Sequence, residues 1–134
     1  MAIRALIAVA LLALVAPAAS AQTASTPRSA LLQQATLFKQ AKWRTMYGTY
    51  TARFRRSCPY ATFVQRQRQT RQILGTDFRL TGIQVKRETA SRAVVAYRFV
   101  KNGRTVAQVT LRDRDVYTRI GTRWFDELDR VSTC

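Results

Sequence analysis

Residues 92–111 read RAVVAYRFVKNGRTVAQVTL, and their pattern decides the fold. Two runs rich in Val, Ala, Thr and aromatic residues flank Asn102-Gly103, a dipeptide that accepts positive φ at both positions, as a two-residue hairpin turn requires. Pairing across that turn predicts a register. Val100 should oppose Thr105, Ala96 should oppose Val109 and Val94 should oppose Leu111, with Phe99–Val106, Tyr97–Gln108 and Val95–Thr110 on the other face. Neither face is polar throughout, so the hairpin is expected at the centre of a sheet, one face on helices and the other open to a second subunit.

Working outward, Phe78 to Thr89 alternates like a further strand. Arg112-Asp113-Arg114-Asp115 interrupts the apolar pattern and reads as a bulge whose alternating charges pair across strands. Val116 to Thr118 and Arg123 to Asp126 form a last hairpin turning at Ile120-Gly121, with Tyr117 beside Trp124. Before Asp77 the period becomes helical. Thr26 caps a first helix over Pro27 to Gln40, with Leu31, Leu32, Ala35 and Phe38 as its apolar stripe. A second runs from Trp43 to Phe54, and a third starts at Pro59 and stops at Gly75, with Tyr60, Phe63, Val64 and Leu74 on one side. Arg71 shares that side and needs a carboxylate or a route to water. Helices followed by antiparallel strands predict an α+β fold, N-terminal helices packed on a curved sheet of about four strands, as in a cystatin-like roll.

At the N-terminus, Arg4, an apolar run from Ala5 to Ala16 and the small residues before Gln22 have the form of a secretory signal peptide, Met1 to Ala21. Residues 22–27 then form a flexible tether and 28–134 a single domain, exported to the periplasm or the exterior, with no membrane span in the mature chain. The chain carries +16, and +15 once Arg4 is removed, from 19 Arg and 4 Lys against 7 acidic residues. That charge suits an anionic partner such as nucleic acid, acidic polysaccharide or an anionic envelope component, and equally a solvated surface set by compositional bias. Candidate anion contacts are Arg53, Arg55, Arg56, Arg66, Arg68 and Arg71. Cys58 and Cys134 are the only cysteines. In an oxidising compartment they form a staple of about 4 kcal/mol by loop entropy, the alternative being a reactive thiol at Cys58.

The chain has no histidine. Ser-His-Asp, Cys-His and imidazole-metal arrangements are therefore excluded, and neither a metal nor a cofactor is expected. Acid–base chemistry is left to carboxylates and tyrosines: Asp77, Asp113 and Asp115 with Tyr47, Tyr50, Tyr97 or Tyr117. Structural roles compete for each, while Asp126, Glu127 and Asp129 read as surface charge. Trp43, Tyr47, Tyr50, Phe54, Phe63, Tyr97 and Trp124 are either core or the lining of a pocket for an apolar small ligand.

The order of elements, together with Trp43-Arg44-Thr45-Met46-Tyr47, Cys58-Pro59-Tyr60 leading to Phe63, and Gly121-Thr122-Arg123-Trp124-Phe125-Asp126, resembles the nuclear transport factor 2-like superfamily, especially its small exported bacterial members. The resemblance covers about 100 residues and implies a cone-shaped roll with a pocket between helices and concave sheet, and a homodimer through the other sheet face. The superfamily it resembles holds isomerases, dehydratases and polyketide cyclases beside many binding modules without chemistry, and the first expectation is a non-enzymatic domain that binds a ligand or envelope partner. Two alternatives stand beside it: an isomerase or dehydratase using Asp and Tyr in the cone, and a polyanion-binding basic protein.

Overall fold

The chain enters its first helix through Thr26, whose hydroxyl accepts the Ser29 backbone N–H at 3.1 Å while the Ser29 hydroxyl accepts the Thr26 N–H at 3.0 Å. With Pro27 preset to helical φ, this reciprocal cap starts α1, Pro27–Lys39, where the sequence predicted it. The computed structural model describes residues 24–106, 114–127 and 134. The expected leader, the start of the tether, Asp113, Asp129 and the predicted strand positions beyond Val106 lie outside them.

The buried stripe of α1 is Ala30, Leu31, Gln34, Leu37 and Phe38. It departs from the expected one at Leu32, which lies 41% exposed, and Leu37 takes the inward place. The expected single helix from Trp43 to Phe54 is two: α2, Trp43–Tyr47, and α3, Ala52–Ser57. Between them Tyr50 forms a parallel bridge with Asp126. The Thr51 N–H donates to the Asp126 carbonyl and the Asp126 N–H to the Thr49 carbonyl, each at 2.9 Å. Sheet partners thus outcompete helix continuation where Gly48, Thr49 and Thr51 are poor helix formers. The last helix, α4, spans Tyr60–Leu74 and ends at Gly75 with φ 74°.

Five strands follow: β1 Arg79–Glu88, β2 Arg92–Lys101, β3 Arg104–Thr105, β4 Arg114–Ile120 and β5 Arg123–Asp126. They form one antiparallel sheet in the order β1-β2-β4-β5, with β3 also paired to β2. The fold is α+β, helices packed on this sheet. The turn is as predicted, with φ 52° at Asn102 and 73° at Gly103, and it pairs Val100 with Thr105. Val106 N–H donates to the Phe99 carbonyl at 3.0 Å.

Farther along β2 the expected register fails. Ala96 opposes Arg114 in place of Val109, and Val94 opposes Val116 in place of Leu111. The physical gain at the inner face is that this register sets Asp115 opposite Val95, within reach of the Tyr97 hydroxyl; on the other face it puts Val116 on Val94. In this register Asp115 lies across from Val95 and Arg114 across from Ala96. The last hairpin turns one residue later than expected, pairing Ile120 with Arg123, so Tyr117 opposes Asp126 and lies diagonal to Trp124. Both still share the core cluster of α1 and the sheet with Ala30, Leu31, Ala93, Val95 and Tyr97. A second cluster joins the helices, from Leu37, Phe38 and Trp43 through Phe54 and Phe63 to Leu74 and Phe78.

Candidate functional site

Between these clusters lies a cavity of about 360 Å³. Its apolar wall comes from both layers: Leu31, Ala35 and Phe38 on α1, Phe63 and Leu74 on α4, and Leu80 and Phe99 on the sheet. Arg66, Gln67 and Thr70 of α4 complete it on the side still reached by solvent. Cys58 and Cys134 also line it, and they are bonded, with Cα atoms 5.2 Å apart across 76 positions. The disulfide thus closes the wall, and the reactive-thiol alternative for Cys58 falls.

The polar part of the lining is Tyr50, Tyr97, Asp115, Asp126 and Gln34. Strand alternation puts them there. Asp115 and Tyr117 are successive inward positions of β4, Tyr97 is an inward position of the neighbouring β2, and Asp126 faces Tyr117 from β5. Asp115 and Asp126 are buried, at 6% and 2% exposure. The Tyr97 hydroxyl donates to Asp115 Oδ2 at 2.8 Å. The Tyr117 hydroxyl donates to Gln34 Oε1 at 2.8 Å, Gln34 Nε2 to the Thr49 hydroxyl at 3.0 Å, and Thr49 to the Met46 carbonyl at 2.6 Å. One relay therefore ties β4, α1 and the end of α2 behind the cavity.

Burial pushes the Tyr97 hydroxyl far above its ordinary pKa, and the Asp115 charge, the hydrogen bond to it, then Asp126 add to the rise. Tyr117 moves the same way, first by burial and then through Asp126 and Asp115. Both phenols are neutral hydrogen-bond donors at any physiological pH. The arrangement presents two carboxylates and firmly protonated tyrosines beside an apolar space. Chemically it is suited to hold a polar head and to accept or return a proton. Among the described residues, no group of His, Cys, Asp and Glu is placed to hold a metal ion.

Of the aromatic candidates, Tyr50, Phe54, Phe63 and Tyr97 line the cavity. Trp43 packs edge-on against Phe38, and Trp124 is buried in the cluster of α1 and the sheet. Tyr47 is a brace, its hydroxyl donating to the carbonyls of Cys58 at 2.6 Å and Arg55 at 2.9 Å. Asp77 lies at the surface, paired with Lys101 at 3.2 Å, and that hydrogen bond lowers its pKa. Asp126 reverses the surface reading. Gln34, on which the sequence reading is silent, sits among Ala30, Leu31, Leu37 and Phe38 on the inward stripe.

Among the candidate anion contacts, Arg53, Arg56 and Arg68 are exposed, and Arg66 stands at the rim of the cavity. Arg55 Nη1 reaches the Gly48 carbonyl at 3.4 Å. Arg71 Nη2 donates to the Lys39 carbonyl at 3.1 Å, at the C-terminal end of α1 where a cation is favoured. In comparisons with known proteins, no family model and no curated protein matches the chain.

Proposed function

We propose that the domain is an exported ligand-binding module of the nuclear transport factor 2-like type, its cone holding a small, largely apolar molecule by a polar head. The observation that carries this reading is the 360 Å³ cavity whose walls are aliphatic and aromatic and whose polar groups gather at Tyr97, Asp115 and Asp126. The volume lies at the small end of the range for ligand pockets, about 300–1,000 Å³, and a few convergent polar groups in an apolar lining are what such pockets use for orientation. The ligand is expected to carry a hydroxyl or amine toward the carboxylates. The disulfide supports an oxidising compartment. Binding of a neutral apolar dye, Nile red, tests the reading: saturable enhancement supports it, and none overturns it.

A second reading is favoured by the 2.8 Å contact between Tyr97 and Asp115. In it the substrate carbonyl oxygen displaces Asp115 as acceptor of the Tyr97 O–H. The carboxylate so released takes a proton from the carbon beside that carbonyl while Tyr97 donates to the oxygen on which charge develops. Exchange of solvent deuterium into a small cyclic ketone, lost in Asp115→Asn and in Asp126→Asn, would favour catalysis over binding.

A further inference from the structure

The opposite face of the sheet carries a different feature, independent of the cavity. Along β2, Ala93, Val95 and Tyr97 are buried toward the helices, so Arg92, Val94, Ala96, Arg98 and Val100 point the other way. Pairing brings Arg79 opposite Val100 and Arg87 opposite Val94 from β1, and Arg114 opposite Ala96 from β4. Arg92 and Arg98 oppose Thr118 and Thr81. All five arginines are exposed. Each faces an uncharged residue across the strands, so the pairing itself neutralises none of them.

Among the described acidic residues, Asp115 and Asp126 are spent inside the fold, Asp77 is held by Lys101 and Glu88 pairs with the inward Ala93. Glu127 alone reaches this face, accepting the Thr118 hydroxyl at 2.6 Å next to Arg92, which leaves the field of the other four arginines in place. Successive rows on one face of a strand are about 6.8 Å apart, so five rows spread the arginines over about 27 Å of three neighbouring strands. The result is a two-dimensional cationic array with an aliphatic floor of Val94, Ala96 and Val100.

We propose that this face docks the protein peripherally on an anionic lipid bilayer. The argument is charge complementarity and shape. A spread of guanidinium groups over three strands matches a plane of lipid phosphates, with the arginine stems and valines lying toward the interface. A second copy applied by the same face would bring arginine onto arginine. A single-stranded nucleic acid would want a series of aromatic stacking platforms, and among the described strand residues this face offers one, the half-buried Phe125 opposite Thr118. No helix of the described residues is long and apolar enough to cross a membrane, and the attachment proposed for this face is electrostatic.

The test is cosedimentation of the purified chain with vesicles of phosphatidylcholine mixed with phosphatidylglycerol, against pure phosphatidylcholine, over a range of salt. Binding is expected on the anionic vesicles alone and to weaken with salt. Arg87→Glu/Arg98→Glu should lose about 25-fold or more, since one basic side chain near such a surface is worth about fivefold. Arg53→Glu/Arg68→Glu, the same charge change on α3 and α4, should lose far less. Arg87→Gln/Arg98→Gln, with a smaller loss, guards against misfolding of the reversed variant. Equal loss in the two reversed variants would overturn the proposal, as would salt-resistant binding to neutral vesicles. Tighter binding to an oligonucleotide than to vesicles at the same salt, abolished by the same substitutions, would reassign the face to nucleic acid.

Discussion

Tyr97 stands between the two layers of the molecule, and its hydroxyl is bonded to a carboxylate that is itself out of water. Replacing it with Phe leaves Asp115 short of a donor, which should cost about 1–3 kcal/mol. It should also change the response to alkali. A tyrosine whose folded pKa is raised stabilises the fold fully below the unfolded value of 10.0, and that stability is lost as pH climbs beyond it. The wild-type protein should therefore lose stability above about pH 10, and Tyr97→Phe, starting lower, should lose it less steeply. Denaturant midpoints measured across that range check both statements, and parallel curves would contradict the assignment. At this scale the sequence revealed residue types better than places. Tyr97 and Asp115 were candidates on chemistry alone. Asp126 looked like surface charge because three acidic residues crowd 126–129, and nothing local says that strand pairing turns one inward. Gln34 was legible in principle, as a polar residue at helical spacing within an apolar stripe.

Elements with strong local chemistry lay where the pattern put them. Thr26-Pro27 started α1, Pro59 preceded α4, Gly75 ended it, and Asn102-Gly103 turned the hairpin. Failures came where a distant partner decided. The break at Gly48–Thr51 depends on the edge of β5, and the register of β4 on β2 depends on the placement of Asp115. Gly82, with φ 60°, lies in the register shift between Thr81 and Gln84, a bulge that alternation alone did not reveal. The Thr49–Thr51 clip makes a prediction of its own. Thr51 caps α3, its hydroxyl accepting the Phe54 N–H at 3.1 Å, and it also donates its backbone N–H to Asp126. Thr51→Ala should cost about 1 kcal/mol from the lost cap, with the backbone clip retained. A denaturant midpoint that does not move would mean the cap adds nothing once the clip has formed.

Over the whole molecule, charge is segregated. Carboxylates Asp115 and Asp126 sit between the layers, while most arginines of the described residues in this chain of net charge +16 are exposed. A single covalent tie, Cys58–Cys134, closes a loop of 76 positions and forms part of the cavity wall. Cys58→Ala/Cys134→Ala should lose about 4 kcal/mol of unfolding free energy, read from denaturant midpoints, and a loss under about 1 kcal/mol would mean the ends are already held by packing. The cavity is what the two layers make together, and titration of the protein with Nile red tests most directly the proposal that it holds a ligand. Ala35 and Thr70 line the cavity from α1 and α4, and both lie away from the carboxylates in sequence. Saturable enhancement in the wild type, lost in Ala35→Trp and in Thr70→Trp and kept in Arg98→Glu, is the expected result. Enhancement that persists undiminished in both filled variants, or none in the wild type, would contradict a ligand-binding cone.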